Sequence, residues 1–308
     1  MPHNAQNTPG ITQSDGGLEE KILLLGFGDI AQRLSQQLLA SQVSRYHVSG
    51  VRRRSIPTSN VTMYQADCAD QAALHDVLQH QFDVIVMTFT PIEISDTGYR
   101  QAYVDTVTAL LAALQQQVYQ PRLLFVSSSS VYGQDNASWV DETSATEPRS
   151  FSGHRLLEAE ELLAESEYIS CCVRFSGIYG PGRRRLIEQV IAGQGVPEEP
   201  ILYSNRIHAD DAAGVLAHLI ERQRHRAIDD LYLASDCCPV ALHEVQQWLA
   251  QQLGYPNDHL TPSASPSRML RSSKRCSNRR LLESGYQFRY PSFKEGYTQL
   301  IADMKSAK

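Results

Sequence analysis

The stretch Lys21-Ile-Leu-Leu-Leu-Gly26-Phe-Gly28-Asp29-Ile-Ala31 decides the fold. Ile22 to Leu25 is an apolar run of strand type, and it stops at Gly26. Beyond it, Ile30, Leu34 and Leu38 recur at the spacing of one helix face. Strand, tight glycine turn and helix in that order build a cradle for a pyrophosphate. Main-chain N–H groups and the positive end of the helix dipole then face the anion. In this reading Gly26 makes the turn, Gly28 lets a ligand approach the backbone, and Ala31 lets the helix pack on the strand. The competing interpretation is a glycine turn in an ordinary strand–helix unit.

The chain has 308 residues, 42% hydrophobic and 20% charged, with a net charge of −6. That length suits one domain with a smaller one appended. The weak acidic balance provides no global attraction for nucleic acid or membrane, and the apolar runs are far too short for a spanning helix. Residues 1–18 are polar and lack a hydrophobic core of the signal-peptide kind, so they read as a disordered leader. None of the six cysteines sits in a C-x-x-C pair. Vicinal Cys171 and Cys172 read as small buried hydrophobes in a strand. A reducing cytoplasm is expected, with no metal site.

Apolar runs alternate with amphipathic stretches through the first 175 residues. Strands are expected at Lys21–Leu25, Tyr46–Val51, Val61–Tyr64, Val84–Met87, Leu123–Val126 and Tyr168–Arg174, with helices near 29–40, 71–80, 98–117 and 153–165. The alternation predicts an α/β fold: a doubly wound Rossmann-type parallel sheet. Beyond Gly177 the pattern breaks into turns around a helix at 183–192, with a strand–helix signal at 207–235 and three short helices in the last seventy residues. The expected layout is a nucleotide domain over 19–176 and 206–236, with a discontinuous C-terminal substrate lobe over 177–205 and 237–308.

The second strand ends Ser49-Gly50-Val51-Arg52-Arg53-Arg54, with no acid to take a ribose 2′-OH. Guanidinium groups suit a 2′-phosphate, so NADP is expected over NAD. A solvated basic turn is the alternative. Asp67 is placed either to accept from an adenine amino group or to cap the helix starting near Asp70. The fifth strand runs into Ser127-Ser128-Ser129-Ser130-Val131-Tyr132-Gly133. Serines at the carboxyl edge of a parallel sheet can donate to a substrate oxygen, or merely satisfy the loop's own backbone.

These pieces occur together with Val140-Asp141-Glu142, Arg174-Phe-Ser-Gly177-Ile-Tyr179-Gly180-Pro181-Gly182, Asn205-Arg-Ile207-His208-Ala-Asp210-Asp211 and Leu231-Tyr-Leu-Ala-Ser-Asp236. In this combination the chain resembles the short-chain dehydrogenase/reductases, specifically the extended epimerase/dehydratase group, over nearly all of residues 20–300. The resemblance implies a cofactor at the carboxyl edge of the sheet and maps the family's catalytic Ser/Thr onto Ser128. It implies contacts to the dinucleotide from Gly26, Phe27, Gly28, Asp29, Ile30, Ala31, Arg52, Arg53, Asp67, Cys68, Thr88 and Arg155. Substrate contacts are expected from Ser129, Tyr103, Asn205 and His208. A dimer through the helices near 98–117 and 153–165 is also implied.

Departures from the family are as informative as the matches. Its Tyr-x-x-x-Lys turn reads here Phe151-Ser-Gly-His154-Arg155. Arg155 can replace the lysine's charge, whereas Phe151 has no proton to give. The family's helix asparagine falls near Tyr103 or Asp105. Its diphosphate arginine has no match, with Ser204 near that position and Arg206 displaced. The glycine loop is G-x-G-x-x-A rather than G-x-x-G-x-x-G. Tyr179, Tyr103, His154 and His208 are candidates for the missing proton carrier, each with a packing or solvated alternative. Arg183-Arg184-Arg185 and the basic run Arg268–Arg275 with Arg279-Arg280 are expected either to border an anionic substrate or to be solvated. The expected function is an NADP(H)-binding oxidoreductase or epimerase-like enzyme, with Ser128, Arg155 and Tyr179 as candidate catalytic residues. Its substrate would be a small polar, sugar-like or anionic carbonyl compound. The alternative is a non-catalytic NADP(H)-binding redox sensor.

Overall fold

A computed structural model describes residues 19–42, 45–54, 56–256, 258–262 and 273–306. The expected leader and the basic residues Arg268 and Arg271 lie outside them. The central sheet is built from β1 (Glu20–Leu25), β2 (Tyr46–Arg52), β3 (Thr62–Gln65), β4 (Val84–Met87), β5 (Arg122–Ser128), β7 (Ser170–Phe175) and β12 (Leu231–Ala234). Its order is β3-β2-β1-β4-β5-β7-β12, parallel at every pairing. Order reverses between β1 and β4, which opens a crevice at their carboxyl ends. Strands covered on both faces need continuous apolar runs, and Val84-Ile-Val-Met87 is buried throughout. Cys171 and Cys172 are buried in β7 as expected, and burial raises both thiol pKa values.

Helices α1 (Asp29–Leu39) and α7 (Ala209–Arg222) cover one face, and Ile30, Leu34, Leu38, Leu216 and Leu219 fill the layer beneath them. The other face carries α2 (Gln71–Leu78), α3 (Asp96–Tyr99), α4 (Thr106–Leu114) and α5 (Phe151–Ala164). The helix expected over 98–117 is interrupted by a π-type turn at Arg100–Asp105. The Thr106 hydroxyl donates to the carbonyls of Ala102 at 2.6 Å and Tyr103 at 3.1 Å, within that turn. Hydroxyl back-bonding of this kind has no hydrophobic signature, so periodicity predicts an unbroken helix.

A third core joins α6 (Arg185–Ile191), α8 (Leu242–Leu253) and α10 (Phe293–Ser306) through Ile187, Val190, Val245, Leu249 and Leu300. The three short C-terminal helices are in fact α8, α9 (Arg279–Glu283) and α10, of which α8 and α10 have 12 and 14 residues. Short strands tie this lobe to the sheet. β8 (Gly177–Tyr179) pairs with β11 (Arg206–His208), and β6 (Ser138–Val140) with β15 (Lys274–Cys276). β9 (Gln194–Gly195) pairs with β14 (Thr261–Pro262), and β10 (Tyr203–Ser204) with β13 (Val240–Ala241).

One buried ion pair braces the edge where the serines emerge. Arg174 of β7 donates from Nε to both oxygens of Glu160 on α5, at 3.0 and 3.1 Å, and from Nη1 to Tyr132 Oη at 2.8 Å. The Ser127 hydroxyl donates to the same carboxylate. Removing one partner leaves a buried charge unpaired. Glu160→Ala is therefore expected to lower unfolding free energy by roughly 3–5 kcal/mol, measured by urea denaturation followed by circular dichroism. A loss below about 1 kcal/mol, the value of an exposed pair, would show that the bridge does not brace this edge.

Candidate functional site

Gly26 has φ +76°. A Cβ built there would lie 3.0 Å from the Thr88 carbonyl oxygen and 3.1 Å from the Phe89 ring, so only glycine fits. Gly26 and Phe27 donate their N–H groups to the Val51 carbonyl at 3.2 and 3.0 Å. The Thr88 hydroxyl donates to the carbonyls of Leu25 and Gly26 at 3.2 and 2.9 Å. Gly28 is exposed, and a Cβ there would meet only the Gly26 carbonyl, at 3.7 Å. α1 then begins without a side-chain cap, as do α6, α8 and α9, whereas α2, α5 and α7 are capped by Asp70, Ser150 and His208. The open approach at Gly28 and the uncapped N–H groups of Asp29 and the residues after it fit a diphosphate.

Two residues assigned to this cradle by sequence serve it from behind. Phe27 is buried beneath Gly50, where a Cβ would lie 2.5 Å from its ring, and its N–H is already bonded. Thr88 is buried with its hydroxyl committed to the turn. Both shape the cradle and present no free donor to a ligand. Ile30 and Ala31 are likewise buried on the sheet side of α1 and offer only backbone.

Around the cradle, Arg52 is half-buried and Arg53 exposed at the end of β2. Cys68 is buried and bonded to the Gly26 backbone, and burial pushes its thiol up to about 11. Asp67 and Arg53 act electrostatically on that thiol, which brings the β2 and β3 ends together beside the glycine turn. Helix α2 is capped by Asp70, which accepts from the N–H groups of Ala72 and Ala73 at 3.0 and 3.2 Å. Asp67 is therefore not the cap; it stays exposed and accepts from Ala69 N at 3.1 Å.

At the serine edge, Ser128 Oγ accepts from Ser130 N at 3.2 Å. That contact fixes the oxygen and leaves its own hydrogen to donate outward. Ser129 is half-buried, and its hydroxyl contacts the thiol of buried Cys276. Phe151 opens α5, and Tyr99 meets it edge-on at 5.5 Å between ring centroids. Tyr99 also lies 5.5 Å from Tyr103, one helical turn on. Sequence reading missed Tyr99, although its spacing from Tyr103 places the two rings on one face.

Several residues expected to contact a ligand also have partners within the fold. Tyr103 is buried with its hydroxyl donating to the Phe89 carbonyl at 3.4 Å, a core residue behind the crevice. Tyr179 is buried against Tyr297, with ring centroids 4.5 Å apart. A Cβ on Gly296 would lie 2.0 Å from its hydroxyl, so α10 encloses this phenol, and burial raises its pKa. Asn205 spends its amide on the Lys274 carbonyl and the Cys276 N–H, both at 2.8 Å, in the manner of a strand residue. His208 is buried and caps α7 through Nδ1, which accepts from Asp210 N at 3.2 Å, while burial lowers its pKa. Lys274 is buried with Nζ donating to the Tyr132 carbonyl at 3.0 Å, and Arg275 stacks over Trp139 and Tyr203. Neither is a solvated cation awaiting an anion. Arg155 grips Asp96 through two hydrogen bonds of 2.8 and 2.7 Å and Glu158 through one of 2.7 Å. It braces α5 against α3 and retains two N–H groups for any further partner.

Comparison with known proteins agrees with this architecture. The model of the NAD dependent epimerase/dehydratase family matches residues 22–232. A Methylobacillus flagellatus protein provisionally named an NAD-dependent epimerase/dehydratase is similar at 36% identity and a TM-score of 0.76, covering 93% of this chain and 99% of that one. Protein YeeZ of Escherichia coli (strain K12) is 26% identical over 288 residues, 88% of this chain and 97% of that protein. The UDP-glucuronic acid 4-epimerase of Bacillus cereus, solved with UDP-glucuronic acid and NAD, shares the fold at 19% identity and a TM-score of 0.74, covering 90% of this chain and 96% of that one. With the glycine cradle at the switch point of a seven-stranded parallel sheet and a family match over two thirds of its length, the chain belongs to the NAD dependent epimerase/dehydratase family.

Proposed function

We propose that the protein binds NADP(H) and exchanges hydride with a small polar, sugar-like or anionic carbonyl compound. The observation that carries the cofactor reading is the uncapped start of α1 at an open Gly28, flanked by the arginines that end β2. A 2′-phosphate carries charge that Arg52 and Arg53 complement, and no acid stands there to claim a ribose 2′-OH. The preference for the phosphorylated form rests on those two side chains; the Bacillus cereus relative solved with NAD is too distant to speak for this chain.

When bound, the nicotinamide supplies the hydride donor or acceptor. The chain's own contribution begins with Ser128, whose hydroxyl donates to the reacting oxygen and stabilises charge developing there. Phe151, at the start of α5, cannot move a proton. Tyr99 places a phenol beside it, edge-on to the Phe151 ring, and we assign it the proton-carrying role. Arg155 is assigned to the ribose through the N–H groups that Asp96 and Glu158 leave over.

A second reading is favoured by Phe151 itself: the chain holds NADP(H), transfers no hydride and reports the cofactor's state to a partner. Loss of NADPH absorbance across a panel of carbonyl compounds separates the two. Turnover that falls roughly a hundredfold in Ser128→Ala, the cost of one lost oxyanion donor, supports the enzyme, and so does a similar fall in Tyr99→Phe. Tight cofactor binding with no oxidation of NADPH by any compound supports the sensor. Calorimetry addresses the cofactor itself. Wild-type protein is expected to bind NADP more tightly than NAD, and Arg53→Ala to lose roughly tenfold toward NADP, about 1.4 kcal/mol, with NAD affinity unchanged. Equal losses toward both would remove the 2′-phosphate assignment.

A further inference from the structure

Gly180-Pro181-Gly182-Arg183 forms a tight turn whose geometry follows from its sequence. Proline at the second position sets φ, Gly182 supplies φ +79° at the third, and Arg183 N donates to the Gly180 carbonyl at 2.9 Å. These are the marks of a type II turn. The turn is anchored below by β8, which ends at Tyr179 and is registered against His208 of β11. Arg183 is therefore delivered from a fixed base in the segment between the sheet and the C-terminal lobe.

Its Nε donates to Asp29 Oδ2 at 3.0 Å. Asp29 is the first residue of α1, directly after Gly28, so the guanidinium stands at the rim of the cradle. The other oxygen of Asp29 accepts from Arg33 Nε at 2.9 Å, and Arg33 continues to Asp210 at the start of α7. Arg289 lies 3.8 Å from that second carboxylate. Two acids thus share three guanidinium groups. Arg33 is bound between both acids and largely enclosed, with 20% of its side chain exposed, whereas Arg183 touches Asp29 through one N–H and is 40% exposed. An exposed pair of this kind contributes little on its own. Among the described residues the planar fork of Nη1 and Nη2 has no partner, and its geometry is matched to phosphate oxygens.

We propose that Arg183 is a pyrophosphate-binding residue: Asp29 orients it, and its free fork closes on the dinucleotide's phosphates, tying the 177–205 segment to cofactor occupancy. The inference rests on the dinucleotide reading above and adds a contact from outside the glycine loop. It also gives the Asp29 contact a purpose, since a second guanidinium beside that carboxylate offsets its repulsion of a diphosphate.

Calorimetric titration of the whole chain with NADP, NAD and ADP-ribose tests it. Arg183→Gln is expected to weaken all three about tenfold, one charge-assisted hydrogen bond's worth, and to leave adenosine 2′-monophosphate, which lacks the pyrophosphate, unchanged. Arg226→Gln, which removes an exposed charge just beyond the far end of α7, is expected to change none of them. The Arg183→Gln loss should persist in an Asp29→Asn background. If it disappears there, Arg183 only screens Asp29 and the proposal is overturned. It is overturned equally if Arg183→Gln binds as wild type, or binds more tightly, which would make the Asp29 pair a gate. Wild-type protein that binds none of the three pyrophosphate ligands sinks the cofactor reading and this proposal together. An unchanged thermal melt of Arg183→Gln confirms that the folded state is being compared.

Discussion

No side chain fits between the end of β1 and the end of β4. The Thr88 carbonyl and the Phe89 ring stand where a Cβ on Gly26 would go, and the Thr88 hydroxyl holds the turn's own carbonyls from below. This contact lets β1 stop abruptly, turn at positive φ and release α1 with its first N–H groups pointing out of the sheet. Were the turn wider, Gly28 would not open onto the crevice and the arginines of β2 would not flank it. The remaining architecture supports this one junction: apolar layers on both sheet faces hold β1 and β4 at parallel registry, and α7 packs beside α1.

The two halves of the crevice have different chemical character. At the glycine turn, internal hydrogen bonds from Gly26, Phe27 and Thr88 hold the loop, while the start of α1 carries no side-chain cap and Arg52 and Arg53 follow from β2. Around the short strands next to the C-terminal lobe, many polar groups are engaged within the fold. Asn205 closes a strand pairing, His208 caps a helix, Lys274 holds the Tyr132 carbonyl and Tyr179 is walled in by α10. Ser128 Oγ accepts from Ser130 N, and the Tyr99 ring lies against Phe151 and Tyr103. The glycine turn and the parallel sheet are those of the family, whereas Phe151 stands at the start of α5 with no proton to exchange.

The platform was legible because its signals are local. An apolar run, two glycines and a 3.6-residue periodicity each act within about a dozen residues. The sheet's parallel order and the buried cysteine pair followed from the same kind of pattern. The substrate side was not legible, because its residues lie on two- and three-residue strands whose side-chain directions depend on long-range pairing. Asn205 and Lys274 are 69 residues apart and meet because β10 packs against β15, which itself pairs with β6 beside the serine turn. The basic run near Lys274 reads as a solvated patch until that pairing buries its lysine. The π-type turn at Arg100–Asp105 leaves no mark in hydrophobic spacing, and it re-aims the helix face that carries Tyr99 and Tyr103.

Amide hydrogen exchange followed by mass spectrometry, with and without saturating NADP, tests the central claim most directly. The account predicts new protection in two separated segments: residues 26–31, where the main chain would meet the phosphates, and residues 180–183, carried inward by Arg183. Binding that leaves residues 26–31 exchanging as in the free protein would contradict it, because the coenzyme would then be lodged away from the glycine turn.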